Sequence, residues 1–211
     1  CGGSGKSTFA ERIRDGLSCS CEIMRLDCYY FDQGGKPFEE RTKVNYDSPE
    51  IFDFDEMLED IRLLLDGKPV TRKGYNYAEH RRDDSEELMY PPEVLIIEGI
   101  HVFYDDRICD IMNLKLFIKV DSDICLLRRI ARDMNERGRS LESISEQYKA
   151  TVKPMREKYI DKYIDKADVV VMRGGMNEQA LKTTISYLKS CVKEQRPAES
   201  EKNESDGNDS E

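Results

Sequence analysis

The chain lacks any apolar run that approaches the roughly 20 residues a membrane-spanning helix needs. Hydrophobic residues, 38% of the total, are interspersed with charged residues that make up 36%. No signal peptide or transit segment is visible. The 211 residues suit one α/β domain with a continuous core. We therefore expect a cytoplasmic protein that does not bind a membrane.

Cysteine pairs with zinc-site spacing are also missing, because no CxxC sequence occurs. The number of cysteines is odd, which does not fit a framework of paired disulfides. Reduced thiols in a cytosolic protein are the simpler interpretation. The seven cysteines are Cys1, Cys19, Cys21, Cys28, Cys109, Cys125 and Cys191.

An excess of positive charge is absent as well. The net charge is −10, and half of it, −5, belongs to the segment from Glu194 to Glu211. A charge of this sign argues against broad binding to nucleic-acid polymers. The one local exception is the segment Arg128–Arg139, which contains five arginines and needs its own explanation.

What the sequence does contain is an alternation of apolar, strand-like runs with amphipathic helices, which is typical of a parallel sheet with crossover helices. We predict strands at Glu22–Leu26, Val94–Glu98, Lys115–Val120 and Asp168–Met172. We predict helices at Ser7–Leu17, Phe54–Asp66, Asp106–Met112, Ile124–Arg137, Leu141–Tyr163 and Glu178–Lys193. Gly138 is expected to end the arginine-bearing helix, and Pro154 to kink the next one.

Three segments interrupt this alternation. Gln33–Pro49 has no periodicity and is predicted to be a long functional loop. Pro69–Pro91 is predicted to form an inserted β-hairpin. The composition after Pro197 is typical of disorder. We therefore expect a domain over residues 1–193 and an acidic tail over residues 194–211.

The first eight residues match the latter part of a G-x-x-x-x-G-K-[ST] phosphate-binding loop. Its glycines let backbone N–H groups surround phosphate oxygens, Lys6 reaches the β and γ phosphates, and Ser7 binds Mg²⁺ at a helix start. The loop's leading glycine would precede Cys1, so we expect the chain to be a fragment that lacks the first strand. A simple glycine-rich turn is the minor alternative. The expected ATP-binding residues here are Gly2, Gly3, Ser4, Gly5, Lys6, Ser7 and Thr8.

Two acidic residues follow predicted strands, at the sheet edge where ligands bind in such folds. Asp27 could accept a proton from an acceptor hydroxyl and also contact Mg²⁺, although a helix N-cap or loop aspartate is the alternative. Glu98 ends a buried apolar strand, where an unpaired carboxylate would be costly. Its expected role is a direct or water-mediated contact with Mg²⁺.

The arginine-rich segment could close over phosphate oxygens as a lid, because Arg128, Arg129 and Arg132 share one helix face. The alternative is a solvated basic face paired with Asp133 and Glu136. Next to a phosphate-binding loop, the lid is the preferred interpretation.

A series of motifs resembles the uridine kinase (uridine–cytidine kinase) family of P-loop kinases, over nearly the whole chain. They include Asp27-Cys28-Tyr29-Tyr30, Asn45-Tyr46-Asp47-Ser48-Pro49, Tyr75-Asn76-Tyr77-Ala78-Glu79-His80, Ile97-Glu98-Gly99, Arg132-Asp133-Met134-Asn135-Glu136-Arg137-Gly138-Arg139 and Val152-Lys153-Pro154. The resemblance implies a doubly wound kinase with a hairpin over a pyrimidine nucleoside, ATP or GTP as donor, Mg²⁺ as cofactor, and a homotetramer.

The resemblance also implies roles for single residues. Asp27 resembles the catalytic base, and Asp47 the carboxylate that binds the ribose hydroxyls. Tyr75 would contact the pyrimidine and His80 its 4-position. Arg129, Arg139 and Gln147 resemble further substrate contacts. The phosphate-facing lid residues are Arg132, on the substrate side, and Arg137, on the ATP side.

The sequence departs from the family pattern in places. Arg72-Lys73-Gly74 stands where apolar residues usually precede Tyr75, and Met176 stands where many members have an acid near adenine. Two alternatives stay open. One is a related kinase of the phosphoribulokinase or pantothenate kinase type, and the other is a nucleotide-binding regulatory protein without catalysis.

Overall fold

The computed structural model describes residues 2–77 and 79–195. Its strands are β1 (Cys21–Arg25), β2 (Val70–Asn76), β3 (Arg81–Met89), β4 (Val94–Glu98), β5 (Leu116–Lys119) and β6 (Val169–Met172). Its α-helices are α1 (Lys6–Gly16), α2 (Phe38–Arg41), α3 (Phe54–Leu65), α4 (Asp106–Cys109), α5 (Ser122–Arg137), α6 (Leu141–Gln147), α7 (Lys153–Lys158) and α8 (Glu178–Gln195). Among these described residues, no helix is both long and apolar enough to cross a bilayer.

Outside the hairpin, the strands pair in parallel, which confirms the predicted α/β class. β1 lies beside β4, with Cys21 opposite Val94 and Arg25 opposite Glu98. β5 lies beside β6, with Leu116 opposite Val169. The bounds of all four strands are within one residue of those predicted.

The two parallel pairs share one helical layer. Phe9 and Ile13 of α1 pack with Leu181 of α8, and this cluster covers Ile96 of β4 as well as Ile118 of β5. Within residues 2–77 and 79–195, no strand joins β4 to β5. A cavity of about 60 Å³ lies between them, lined by Ser4, Lys6, Gly99, Ile100, Val102, Phe103, Leu116, Phe117, Ile118, Ile160 and Tyr163. The expected strand before Cys1 stays a prediction.

A larger core forms between β1 and α3. Met24, Leu26 and Met57 are completely buried in it, and Ile61 is nearly so. The spacing of the apolar residues on α3 places them on one face, as an amphipathic helix requires. Asp53 begins α3 by accepting a hydrogen bond from the backbone N–H of Glu56. This core fixes the position of the segment that follows β1.

The predicted hairpin is present as β2 and β3, which pair antiparallel with a register shift between Lys73 and Tyr75. Its arginines attach it to the domain through main-chain carbonyls. Arg72 Nη1 donates to the carbonyl of Ile23 at 2.7 Å, and Arg82 Nε donates to that of Tyr30 at 2.7 Å. Arg72 therefore docks the hairpin by a directional bond at a position where the family usually has an apolar side chain.

The helix predicted over Leu141–Tyr163 is continuous from Leu141 to Lys158, but it is not α-helical throughout and it ends earlier than predicted. α6 ends at Gln147 and continues as a π-helix over Tyr148–Val152, before α7 and a 3₁₀-helix over Ile160–Lys166. Pro154 supplies the cause, because it has no N–H to donate and its ring crowds the carbonyl one turn earlier. The backbone widens by one residue to relieve that contact.

Smaller differences concern the ends of elements. α4 is three residues shorter than predicted, and the long loop Gln33–Pro49 contains the short helix α2. Gly138 ends α5 in the left-handed conformation, with φ of 61°, as expected. α8 runs to Gln195, two residues into the segment predicted as tail, and the rest of that tail lies outside the described residues.

Candidate active site

The phosphate-binding loop leads directly into α1, which begins at Lys6. Gly3 and Gly5 have positive φ values of 93° and 86°, and a Cβ on Gly3 would lie 2.6 Å from the carbonyl oxygen of Cys125. The N-cap residue, Gly5, has no side chain that could cap α1, and the first turn carries no acidic residue. The first N–H groups of α1 are therefore not used by a cap and can bind an anion.

Ser7 and Glu98 meet at the start of α1. Ser7 Oγ donates a hydrogen bond to Glu98 Oε1 at 2.9 Å, and Lys6 Nζ lies 3.5 Å from Glu98 Oε2. Oε2 is buried, and no described residue donates a hydrogen bond to it. A hydroxyl and an incompletely satisfied carboxylate are the hard oxygen ligands that Mg²⁺ prefers, so these residues fit such an ion.

Asp27 lies inside the 3₁₀-helix Leu26–Tyr29 that follows β1, and the N-cap of that helix is Arg25. The N-cap alternative for Asp27 is therefore wrong. Tyr77, at the end of β2, donates a hydrogen bond of 2.5 Å to Asp27 Oδ2. Burial, and secondly the Asp27 charge, hold the pKa of Tyr77 far above its ordinary value, which keeps the phenol a donor.

Aromatic rings surround the space beside Asp27. Tyr30 and Tyr75 are 4.6 Å apart between ring centroids, and Tyr46 stacks on His80 at 5.1 Å and 24°. His80 is at the hairpin turn with a φ of 50°. Burial, followed by the charges of Arg139, Arg41 and Arg137, lowers the pKa of His80, which favours the neutral ring. The structure thus places Tyr75 and His80 in one aromatic cluster.

Asp47 lies on the other side of this cluster and is buried. Thr151 Oγ1 donates to Asp47 Oδ2 at 2.9 Å, and Arg129 Nη1 lies 3.8 Å from Asp47 Oδ1. The carbonyl of Asp47 contacts His101 Nε2 at 2.8 Å. The carboxylate is thus fixed by the helical lid region and the main chain by the segment after β4.

Asp133 organises the lid. Its side chain is fully buried, and four guanidinium groups surround its carboxylate at 2.8 to 3.7 Å. The arginines are Arg129, Arg132, Arg137 and Arg139. The alternative of a basic face paired with Asp133 is therefore confirmed in that pairing, but the face is not fully solvated, because Arg129 is buried.

The lid also contacts its neighbours on both sides. Gln147 Oε1 accepts hydrogen bonds from Arg129 Nη2 at 3.0 Å and Arg139 Nη1 at 2.6 Å. The guanidinium carbon of Arg137 lies 4.5 Å from the ring centroid of Tyr77. Arg128 Nη1 donates to the carbonyl of Gly3 at 3.4 Å, so the lid helix reaches the phosphate-binding loop.

Met176 lies on the far side of that loop and is 65% exposed. Its sulfur is 3.9 Å from Arg12 Nη1, and Arg12 also forms an ion pair with Glu178. The preceding glycines pack on the loop, since a Cβ on Gly175 would lie 2.0 Å from the carbonyl oxygen of Gly5. Met176 therefore lies near the loop, without contacting the other predicted site residues.

Four residues of this arrangement were not assigned a role from the sequence. They are Tyr77, Asp133, Thr151 and His101. Tyr77 lies inside a family motif and Asp133 between the arginines, so a signal existed for both. A histidine three residues after a buried strand was the only sign for His101, and Thr151 gave none.

Comparison with known proteins identifies the family of this chain. The model of the phosphoribulokinase/uridine kinase family matches residues 1–180. A uridine kinase from Ligilactobacillus salivarius is 41% identical over 192 residues, which cover 90% of each chain. A uridine kinase from Streptococcus uberis is 42% identical over 193 residues, covering 91% of this chain and 92% of the relative.

Solved structures show the same fold. A candidate fructose transport system kinase from Silicibacter sp. TM1040 matches with a TM-score of 0.56 and 21% identity, over 80% of this chain and 84% of that one. The YGR205w protein matches with a TM-score of 0.54 and 14% identity, over 81% of each chain. At these identities the likeness bears on the fold alone.

The predicted resemblance is confirmed by the family model together with relatives that are more than 40% identical over nine tenths of the chain. The chain is a kinase and belongs to the phosphoribulokinase/uridine kinase family.

Proposed function

We propose that this protein transfers the γ-phosphate of ATP to the 5′-hydroxyl of uridine or cytidine, giving UMP or CMP. The observation that carries the proposal is the position of Asp27. Asp27 follows β1, and the partner strand β4 ends in Glu98 beside Ser7. The proposed base and the phosphate-binding loop therefore lie at one edge of the sheet. The names of the relatives, uridine kinase, support the same acceptor.

In the proposed reaction Asp27 takes the proton of the 5′-hydroxyl as its oxygen attacks the γ-phosphorus, and ADP leaves. Lys6 and the N–H groups at the start of α1 hold the phosphates in line. Arg137 and Arg132, from the lid, neutralise charge on the transferred group. Mg²⁺, when bound by Ser7 and Glu98 with Asp27 nearby, would supply further charge neutralisation on the phosphate oxygens.

The nucleoside side of the proposal rests on the aromatic cluster and Asp47. A neutral His80 has one donor and one acceptor nitrogen, and so can serve the oxygen of uracil or the amine of cytosine. Tyr75 offers a ring face that suits either pyrimidine. Asp47 can accept both ribose hydroxyls with one carboxylate. Arg129 lies 3.8 Å from it, and Gln147 joins Arg129 to Arg139.

Other parts of the proposal concern the donor and the assembly. Met176, at the expected adenine side, is an exposed thioether without a strong hydrogen-bonding group, and this composition is compatible with ATP or GTP. We propose a cytoplasmic homotetramer, on the family resemblance and on the free thiols of the six described cysteines.

Release of ADP with a panel of acceptors tests the proposal. Uridine and cytidine should be phosphorylated, whereas ribulose 5-phosphate and pantothenate should not. Asp27→Asn should abolish transfer while ATP affinity stays within a few fold, because the phosphate loop is untouched. Preference for a sugar phosphate or pantothenate would favour the related kinases. ATP binding without transfer to any acceptor would favour a regulatory protein.

A further inference from the structure

His101 is a histidine in an unusual environment. Its side chain is 0% exposed, and three aromatic rings lie around it, those of Phe52, Tyr159 and Tyr163, with centroids about 6 Å away. A buried imidazole is costly unless both of its nitrogens find partners. Here Nδ1 lies 2.9 Å from the Tyr163 hydroxyl and Nε2 lies 2.8 Å from the carbonyl oxygen of Asp47. Both nitrogens are therefore satisfied.

The partners define the tautomer. A carbonyl oxygen can only accept, so Nε2 must carry the proton and donate to Asp47. Nδ1 is then the acceptor of the Tyr163 O–H. Burial lowers the pKa of His101 to about 4, so this neutral form persists near pH 7. Hydrogen bonds thus run in one direction, from Tyr163 through His101 to the main chain of Asp47.

These hydrogen bonds join the segment after β4, on the ATP side of the site, to Asp47, on the nucleoside side. His101 follows β4, which ends three residues earlier in Glu98, the residue next to Ser7. Asp47 lies in the segment between α2 and the 3₁₀-helix Pro49–Ile51. Its side chain is held separately by Thr151. His101 therefore fixes the position of the Asp47 main chain relative to β4, the strand that carries Glu98.

We propose that His101, oriented by Tyr163, is a positioning residue that fixes Asp47 so that a ribose bound there presents its 5′-hydroxyl to Asp27. The proposal rests on the proposed function, because it assumes that Asp47 binds the ribose hydroxyls. His101 lies outside the motifs that carry the resemblance. It should affect binding of the nucleoside and leave binding of the nucleoside triphosphate unchanged.

The test uses steady-state kinetics of four single variants and one double variant of the full chain. His101→Leu removes both hydrogen bonds, and the KM for uridine should rise about tenfold with little change in the KM for ATP. The preference for uridine over 2′-deoxyuridine should decrease, because a displaced Asp47 accepts the hydrogen bonds of both ribose hydroxyls less well. His101→Gln, which keeps one donor and one acceptor, should recover most of the loss.

Tyr163→Phe keeps the packing but removes the hydroxyl that donates to Nδ1, so the imidazole loses one of its two anchors. It should raise the KM for uridine in the same direction, and combining it with His101→Leu should add almost nothing. Tyr159→Phe is the matched control, since its ring is 5.9 Å from His101 but the hydroxyl makes no bond to the imidazole. Its KM for uridine should be that of the parent protein.

The results distinguish failure of the proposed function from failure of the positioning role of His101. If the parent protein phosphorylates no pyrimidine nucleoside, the proposed function fails and this inference with it. If it does, unchanged uridine KM and unchanged deoxyuridine discrimination in both His101→Leu and Tyr163→Phe overturn the positioning role alone. Equal rises in the KM for uridine and for ATP would also overturn it, since they indicate general loss of structure.

Discussion

The hydroxyl of Tyr77 donates a 2.5 Å hydrogen bond to Oδ2 of Asp27, so a hairpin residue occupies one oxygen of the proposed base. Arg137 of the lid stacks on the same ring, at 4.5 Å. One tyrosine therefore connects the hairpin, the proposed base and the lid. A nucleoside hydroxyl that used the same oxygen of Asp27 would compete with the phenol.

Replacing Tyr77 by phenylalanine tests this competition. Tyr77→Phe removes the hydroxyl but keeps a ring for Arg137, so the KM for uridine should fall by about two- to fivefold, with kcat unchanged or higher. Tyr77→Leu, which also removes the ring, is the comparison that separates the hydroxyl from the cation–π contact. A lower kcat in Tyr77→Phe would instead mean that the hydroxyl takes part in the chemical step.

Asp47→Ala should weaken ribonucleoside binding by about 2–4 kcal/mol, because a charged hydrogen-bond acceptor is lost. The loss should be smaller for 2′-deoxynucleosides, which have one hydroxyl fewer. Thr151→Val, which removes the neighbour of the carboxylate but keeps the carboxylate itself, should show a smaller effect. Titrations with uridine and deoxyuridine measure both, and equal losses for the two nucleosides would show that Asp47 does not bind the diol.

Asp133→Asn should destabilise the fold by about 3–5 kcal/mol, because four guanidinium groups would lose their buried counter-charge. Urea unfolding measures the change as a lower midpoint at constant slope. Glu136→Gln is the control on the same helix, where the side chain is exposed, and its effect should be below about 0.5 kcal/mol. Similar effects of the two substitutions would contradict the role of Asp133 as the centre of the lid.

The low pKa of His101, about 4, gives a pH dependence of known sign. The unfolded chain binds the proton near the ordinary value of about 6.5, so protonation favours unfolding. The stability due to the neutral ring is complete above about pH 6.5 and is lost as the pH falls towards 4, by roughly 3 kcal/mol. Unfolding free energies at pH 7 and 4.5 should therefore differ more in the parent protein than in His101→Gln. Equal differences would mean that His101 is not held neutral.

Some parts of the structure could be predicted because their cause is local. The run Val94–Ile97 is apolar throughout and is followed by Glu98 and Gly99, so the bounds of this strand were predicted without error. The phosphate-binding loop carries its chemistry in consecutive residues. Gly138 ends α5 because a left-handed residue is needed there.

Other parts depend on contacts between distant segments. Tyr77 meets Asp27 across 50 residues, and His101 meets Asp47 across 54. No periodicity encodes such pairs, because they depend on how the hairpin and the loop dock. The π-helix at Tyr148–Val152 was missed because the apolar pattern continues through it, while Pro154 changes only the hydrogen bonds.

The way the hairpin is attached also affects its response to temperature. Contacts between apolar side chains allow some sliding and weaken on cooling, because the hydrophobic effect does. The bonds from Arg72 to Ile23 and from Arg82 to Tyr30 are directional, and both end on main-chain carbonyls. Substitution of the side chains of Ile23 or Tyr30 leaves these acceptors in place. These two bonds therefore add an attachment that does not depend on the hydrophobic effect to the apolar contacts of Val70 and Met89.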